Sequence, residues 1–317
     1  MDITYGNVGI GHSPQQLAGE PLLLRGKLKS KADKNGETEP TVETTEDLVR
    51  RVDEDRWLAA RFADPAVRQR LSNLYAVVYE IARIPESVRE PALGDMRLQW
   101  WRDAVAEIYN GHGVAKFPAA DGLAALVRET SLDRGLLDEL IDTRGRDLEE
   151  QPFETWPQLE AYVDSTAGVV MRLAAKVCAP DLVQTPQHVA LFRNAGRVWG
   201  YTGLVRSLAL WNERRRTFFP RKLLDHVNMT ANDLFAGATT HATSSACRAV
   251  LERSVAAHKE VRRLAYGAPK EFFPAYGYVA LAGDYMRALD RPYDGAAKVP
   301  LFRRQVRLVA ASATGAV

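Results

Sequence analysis

The sequence predicts an all-α, single-domain protein on three observations. From Leu48 onward almost every segment carries apolar residues at the i, i+3, i+4, i+7 spacing of an amphipathic helix. No stretch there alternates apolar and polar residues with the period of two that a half-buried strand needs. Pro65, Pro85, Pro91, Pro118, Pro157, Pro186, Pro220 and Pro274 fall at the edges of the periodic segments, where a missing N–H and a fixed φ are tolerated. At 317 residues the chain is long enough to bury one large core.

Residues 1–47 read as a flexible polar tail. The stretch GKLKSKADKNGETEPTVETTED is too poor in apolar side chains to offset the entropy of ordering. The glycines of GNVGIGHS have no strand before them and no GKS or GKT after them, so they do not announce a phosphate loop. Helices are predicted near 48–63, 65–83, 91–110, 121–129, 133–150, 156–178, 186–211, 220–227, 244–266 and 271–289. In LGDMRLQWWRDAVAEIY, residues Leu93, Met96, Trp100, Ala104 and Ile108 share one stripe that Trp101 and Val105 widen. That helix is expected to be buried over much of its circumference, with its indoles in the core. The C-terminal segment, 294–317, sets Leu301, Phe302, Val306 and Val309 against Arg303, Arg304 and Arg307 as a basic amphipathic helix. The pattern fits either attachment to an acidic membrane surface or packing onto the helical domain.

A net charge of +2 lacks the basic excess of a nucleic-acid binder. No apolar run approaches the roughly 20 residues that span a bilayer, and MDITYGNVGIGHSPQQ has no basic and apolar leader, which gives a cytoplasmic reading. Cys178 and Cys247 lie outside any CxxC or CxxH spacing and read as free buried thiols. The six histidines form no i, i+4 pair and no HExxH, so no metal is assigned. No GxSxG elbow supports a hydrolase.

Three segments, LSNLYAVVYEIARIPE, MRLQWWRDAVAEIY and AGRVWGYTGLVRSLALWNERRRTFFP, resemble in order and spacing the squalene/phytoene synthase family. LIDTRGRDLEEQPFETWPQLEAYVDSTAGVV resembles that family's middle region, so the likeness runs from about Asp55 to about Asp290. It implies an isoprenoid-synthase-type helical bundle around a central cavity, spanning 48–293. Members join two prenyl diphosphates head to head, with two aspartate-rich motifs on facing helices. The motifs hold magnesium, which takes carboxylate oxygens and neutralises the leaving diphosphate.

Carried over residue by residue, the first motif begins at Tyr75-Ala76 and its acidic positions fall on Ala82, Arg83 and Glu86. The second ends at Phe218-Phe219-Pro220, which puts its polar positions on Gly200, Gly203, Ser207 and Trp211. Glu86 alone keeps a carboxylate. The resemblance therefore implies a framework without its metal clusters, no catalytic residue and no cofactor, and it leaves open whether the large indole at 211 fills the space of a diphosphate. Met96–Trp101, Glu80–Ala82, Arg214–Pro220 and Phe273–Ala275 resemble the branch that includes the mitochondrial complex I assembly factor and its bacterial relatives. That branch implies a non-catalytic assembly or scaffold role, with subunits of the respiratory NADH dehydrogenase as partners and peripheral contact at the inner membrane.

Two alternatives stay open. One is a magnesium-dependent prenyltransferase with a displaced site made of Glu86, Asp142 and Asp147. The other is a metal-free carrier of an isoprenoid or lipid, its anionic head held by Arg83, Arg206, Arg214, Arg215 and Arg216, since guanidinium groups bind phosphate oxygens bidentately. Pairing of those arginines with Glu86, Glu90 or Glu213, and a solvated acidic face at Asp142, Asp147, Glu149 and Glu150, are the plainer readings.

Overall fold

Helix starts follow from prolines and polar caps. The computed structural model describes residues 43–114, 117–289, 298–315 and 317, together with the backbone of 29–30 and 40–41. The chain divides into two units at Glu43 and Thr44. In the first, β1 (Lys29–Ser30) pairs antiparallel with β2 (Pro40–Thr41), Lys29 opposite Thr41. The rest of the expected tail up to residue 42 lies outside the described residues.

The second unit is helical. Thr44 caps α1 (Thr45–Val52), three residues ahead of the expected start, by accepting from the Asp47 N–H. The expected helix 48–63 is broken because Asp53 leaves helical geometry and caps α2 (Glu54–Ala60), accepting from the Arg56 N–H. A proline stands at the first position of α3 (Pro65–Ala82), α5 (Pro91–Tyr109) and α6 (Pro118–Thr130) and at the second of the short α4 (Ile84–Ser87). The expected helix 133–150 is α7 (Arg134–Arg144) tightened into a 3-10 turn at Gly145–Leu148. The next, 156–178, is α8 (Trp156–Val163), one wide π turn at Asp164–Gly168, and α9 (Val169–Cys178).

The segment 186–211 splits into α10 (Pro186–Arg206) and α11 (Leu208–Glu213). Ser207 turns its hydroxyl back onto the Gly203 carbonyl at 2.9 Å, offering the backbone an alternative to continued helix. Then come α12 (Arg221–His226), α13 (Ala231–Phe235), which the periodicity does not announce, and α14 (His241–Ala265). The expected helix 271–289 is fragmented into α15 (Phe273–Tyr276), a 3-10 run Gly277–Leu281 and α16 (Ala282–Ala288). The unit closes with α17 (Leu301–Thr314).

Two helices run through the core. In α3 every residue from Leu71 to Val78 is buried, and in α10 Leu191, Phe192, Ala195, Val198, Tyr201 and Val205 are buried. Each such apolar side chain contributes about 1.5–3 kcal/mol. Helix α10 crosses the π turn so closely that a Cβ on Gly196 would stand 2.4 Å from the Gly168 Cα. The bidentate pair of Arg197 with Asp164, 2.7 Å for both bonds, locks the same crossing.

The predicted stripe of α5 holds at Trp101, Ala104, Val105 and Ile108, which are buried, and fails in the first turn, where Gly94 and Leu98 lie inward and Leu93 and Met96 are 49% and 68% exposed. The register is set by Leu148, whose side chain occupies the place a Gly94 Cβ would take. The C-terminal helix packs onto the domain through the buried Leu308 and Ala311 and through ion pairs of its arginines. Arg304 bonds Asp55 at 2.9 Å and Glu54 at 2.5 Å, and Arg303 bonds Asp284 at 2.8 Å. Leu301, Phe302, Val306 and Val309 face outward. Cys178 and Cys247 are free and buried.

Gly196→Ala is expected to cost at least about 2 kcal/mol through the Gly168 clash. Gly203→Ala, seven residues along α10 with nothing within 4 Å of its Cβ position, is expected to gain up to about 1 kcal/mol in helix propensity. Urea midpoints of the two variants check the pair. Burial pushes the Cys178 and Cys247 thiols, and the Tyr276 phenol, up to about 12. Their contribution to stability is full below the unfolded-state values, roughly 8.5 for thiols and 10 for phenols. It is lost as pH rises toward 12. Urea midpoints are thus expected to fall steadily above about pH 9, and both thiols to resist a disulfide reagent at neutral pH until the protein unfolds.

Candidate functional site

A cavity of about 270 Å³ opens between α2, α3, α7, the α8–α9 pair, α10 and α11. Ala82, Gly200, Gly203, Ser207 and Trp211 all line it. Positions carried over from two segments more than a hundred residues apart thus meet around one space. The four on α10 and α11 differ in why they are small or bulky. Gly200 lets Val163 approach to 2.7 Å of where a Cβ would stand, whereas Gly203 opens into empty space. Trp211 is buried and packs edge-on against Phe218 at 5.0 Å. It walls the cavity and does not fill it, which settles the point that the sequence left open.

Arg83 and Glu86, expected to point inward, are exposed. The reason is that α3 ends at Ala82, so the chain leaves the helical face that points into the cavity. Arg83 pairs with Glu80 at 3.2 Å and lies over the Tyr79 ring. Desolvation raises the Glu80 pKa, which Arg83 only partly offsets.

The other arginines expected to grip an anion together are each engaged elsewhere. Arg206 covers the Tyr285 ring at 3.9 Å and faces Asp55 at 3.8 Å. Arg214 bonds the Pro85 carbonyl at 3.2 Å, Arg215 bonds Asn232 at 2.8 Å, and Arg216 bonds the Asp147 carbonyl.

The acidic stretch divides in the same way. Asp142 is exposed and pairs with Arg102 at 2.7 Å, and Glu149 pairs with Arg146. Asp147, expected on a solvated face, is fully buried, because the 3-10 turn after α7 points it inward. It accepts from Arg144 Nη1 at 2.8 Å and from the Tyr162 hydroxyl at 2.6 Å. Among the described residues no three His, Cys, Asp or Glu side chains come together as a metal site.

The cavity's polar lining is a group that periodicity and motif comparison missed. Arg56, on α2, bonds Asp53 through Nη1 at 2.6 Å and Tyr278 through Nε at 3.1 Å, with its guanidinium over the Tyr75 and Tyr278 rings. Arg144, on α7, bonds Asp147 and, at 3.1 Å, Tyr162. Its Nε and the hydroxyl of Tyr75 are buried without a hydrogen-bond partner. Burial opposes both guanidinium charges, but Asp53 on one side and Tyr162 with Asp147 on the other outweigh it and raise both pKa values. The Arg56 charge in turn lowers that of Arg144, so the two cations sense each other. Burial also pushes the Tyr75 and Tyr162 phenols well up. The spacing Asp53-x-x-Arg56 and Arg144-x-x-Asp147 signals two i, i+3 ion pairs, yet nothing in it says that they face one cavity.

The sequence profile of Squalene/phytoene synthase matches residues 49–310. The chain belongs to that family. It is 23% identical over 245 residues to a mouse protein named NADH dehydrogenase (ubiquinone) complex I, assembly factor 6, covering 77% of this chain and 72% of that one. It is 26% identical over 203 residues to a presqualene diphosphate synthase of Rhodopseudomonas palustris, covering 63% and 70%. Among solved structures, a dehydrosqualene synthase in complex with ligand superposes with a TM-score of 0.70 at 13% identity, over 85% of this chain and 94% of that one. A squalene synthase from Alicyclobacillus acidocaldarius gives 0.62 at 18% identity, over 86% and 92%. Those structures share the fold.

Asp147→Asn is expected to cost about 3 kcal/mol, because it leaves the buried Arg144 charge without its counter-ion. Asp142→Asn, at an exposed pair, is expected to stay within about 0.5 kcal/mol of the parent. Denaturant titration of both variants checks the contrast.

Proposed function

We propose that this member of the squalene/phytoene synthase family is a non-catalytic protein that assists assembly of a respiratory complex of the NADH dehydrogenase type. One observation carries the loss of catalysis. Where the family's carboxylates would face the cavity stand Ala82, Gly200, Gly203, Ser207 and Trp211, and the one surviving carboxylate, Glu86, faces solvent. None of those five side chains supplies the hard anionic oxygen that magnesium requires to neutralise a leaving diphosphate. The relatives' names alone point two ways, since one is an assembly factor and another a synthase. The cavity lining favours the first.

The prenyltransferase reading needs Glu86, Asp142 and Asp147 around one ion. Asp147 spends both carboxylate oxygens on Arg144 and Tyr162, and Asp142 lies outward against Arg102. Among the described residues no helix is long and apolar enough to cross a membrane, and the proposed encounter with a membrane complex is peripheral.

Two measurements test this role. Farnesyl or geranylgeranyl diphosphate with magnesium and NADPH is expected to release no diphosphate above background, beside an active family enzyme as control. Affinity capture of the full chain from its own cells is expected to bring NADH dehydrogenase subunits. Diphosphate release would overturn the non-catalytic reading, and capture without any respiratory subunit would overturn the assembly role.

A further inference from the structure

We propose that the outward ridge of α17 is a docking surface for an amphipathic helix of a partner protein, one that carries carboxylates along one flank of its apolar stripe. This inference goes beyond the assembly role and is tested apart from it, since its probe is a peptide of defined chemistry and not a respiratory subunit.

The ridge stands out first by its apolar exposure. Among the described residues twelve large apolar side chains are exposed, and Leu301, Phe302, Val306 and Val309 put four of them on this one helix, Phe302 at 77%. Single exposed apolar residues are ordinary, whereas a contiguous set marks an interaction surface. Phe302, Val306, Val309 and Ala313 follow one another at i, i+4, i+7 and i+11, and all four are exposed. In an α-helix that spacing makes one line. Leu308 and Ala311 bury the other side of the helix, so the ridge adds nothing to the packing that holds α17 in place.

Charge selects the partner. The buried Asp284 is shared by Arg287 of α16 and by Arg303 and Arg307 of α17, the last two at 2.8 and 3.6 Å. Three positive charges against one negative leave an excess of two, and among the described residues no second carboxylate pairs with any of these arginines. The set beside it is balanced, with Arg206 and Arg304 against Glu54 and Asp55, and cancels none of the excess. The side chains of Arg287, Arg303 and Arg307 are 64%, 58% and 46% exposed, so carboxylates from outside can reach them.

The placement of that charge separates the occupants. Arg303 and Arg307, at i and i+4, run along one flank of the ridge, and the other flank carries the uncharged Gln305 and Ser312. A lipid surface meets both flanks alike and draws on basic residues along the whole polar face. A helix laid along the ridge offers each flank its own side chains. A second copy of α17, LFRRQVRLVAASAT, has no Asp or Glu to offer. A partner helix with an apolar stripe and carboxylates at i, i+4 beside it answers both the ridge and the arginines.

The test is fluorescence anisotropy of the full-length protein with three labelled peptides, each cross-linked to stay helical. The first carries a leucine stripe with glutamates along one flank. The second has lysines in place of the glutamates, and the third has serines in place of the leucines. The first is expected to bind, less tightly as salt is raised, and the other two about tenfold more weakly or worse. Phe302→Ser, at an exposed position, is expected to weaken the first peptide about tenfold. Arg303→Gln is expected to weaken it about two- to fivefold. Tyr266→Ser, at an exposed aromatic outside the ridge, is expected to bind as the parent does.

The proposal is overturned if a folded parent does not bind the first peptide, if the lysine peptide binds as well, or if Phe302→Ser binds as the parent does. Two further outcomes overturn it by assigning another occupant. They are sedimentation with vesicles of phosphatidylcholine and phosphatidylglycerol, and a dimer in the ultracentrifuge, either one lost in Phe302→Ser.

Discussion

The contact on which the rest of the helical unit depends is the crossing of α10 over the π turn at Gly168. Two glycines meet where even one methyl group would stand 2.4 Å from a backbone carbon. Such an approach brings α10 deep enough to bury Leu191, Phe192, Ala195 and Val198 together. It also delivers Arg197 to Asp164 for a two-bond ion pair. The wide turn has its own cause, since Thr166 bonds back to the Tyr162 carbonyl at 2.7 Å and draws that backbone group from the regular ladder. One close crossing therefore fixes the distance between α8, α9 and α10, and with it the width of the cavity.

Within that frame the interior is polar in an ordered way. Asp55 receives Tyr285 at 2.6 Å and Arg304 at 2.9 Å, and Asp284 receives arginines from α16 and α17. These carboxylates hold the C-terminal helix to the body. Asp53 and Asp147 do the equivalent for Arg56 and Arg144 at the cavity. The charge arrangement that stabilises this unit thus commits each of these carboxylates to a guanidinium. The outward Leu301, Phe302, Val306 and Val309 belong to a helix whose buried residues are Leu308 and Ala311, with Arg304 half-buried against Asp55.

Much of this was legible before any coordinates. The all-helical class, the prolines at helix starts, the free buried thiols and the family likeness all rest on local patterns. So does the convergence of Ala82 with Gly200, Gly203, Ser207 and Trp211, which the motif comparison anticipated and the cavity shows. Errors arose where the decision belonged to a neighbour. The first turn of α5 departed from its predicted stripe where Leu148 lies against Gly94. Arg83 and Glu86 turned outward because α3 ends at Ala82. The arginines at 206 and 214–216 dispersed because each met a different partner.

By itself the sequence determined the all-helical class and the proline-marked edges of most helices, since periodicity and proline geometry act over a few residues. Only the tertiary structure decided that Arg56, Tyr75 and Arg144 face one cavity. Their meeting depends on how α2, α3 and α7 are set against the α10 crossing, and the direction a side chain takes across such a distance is settled by packing, which no local pattern encodes.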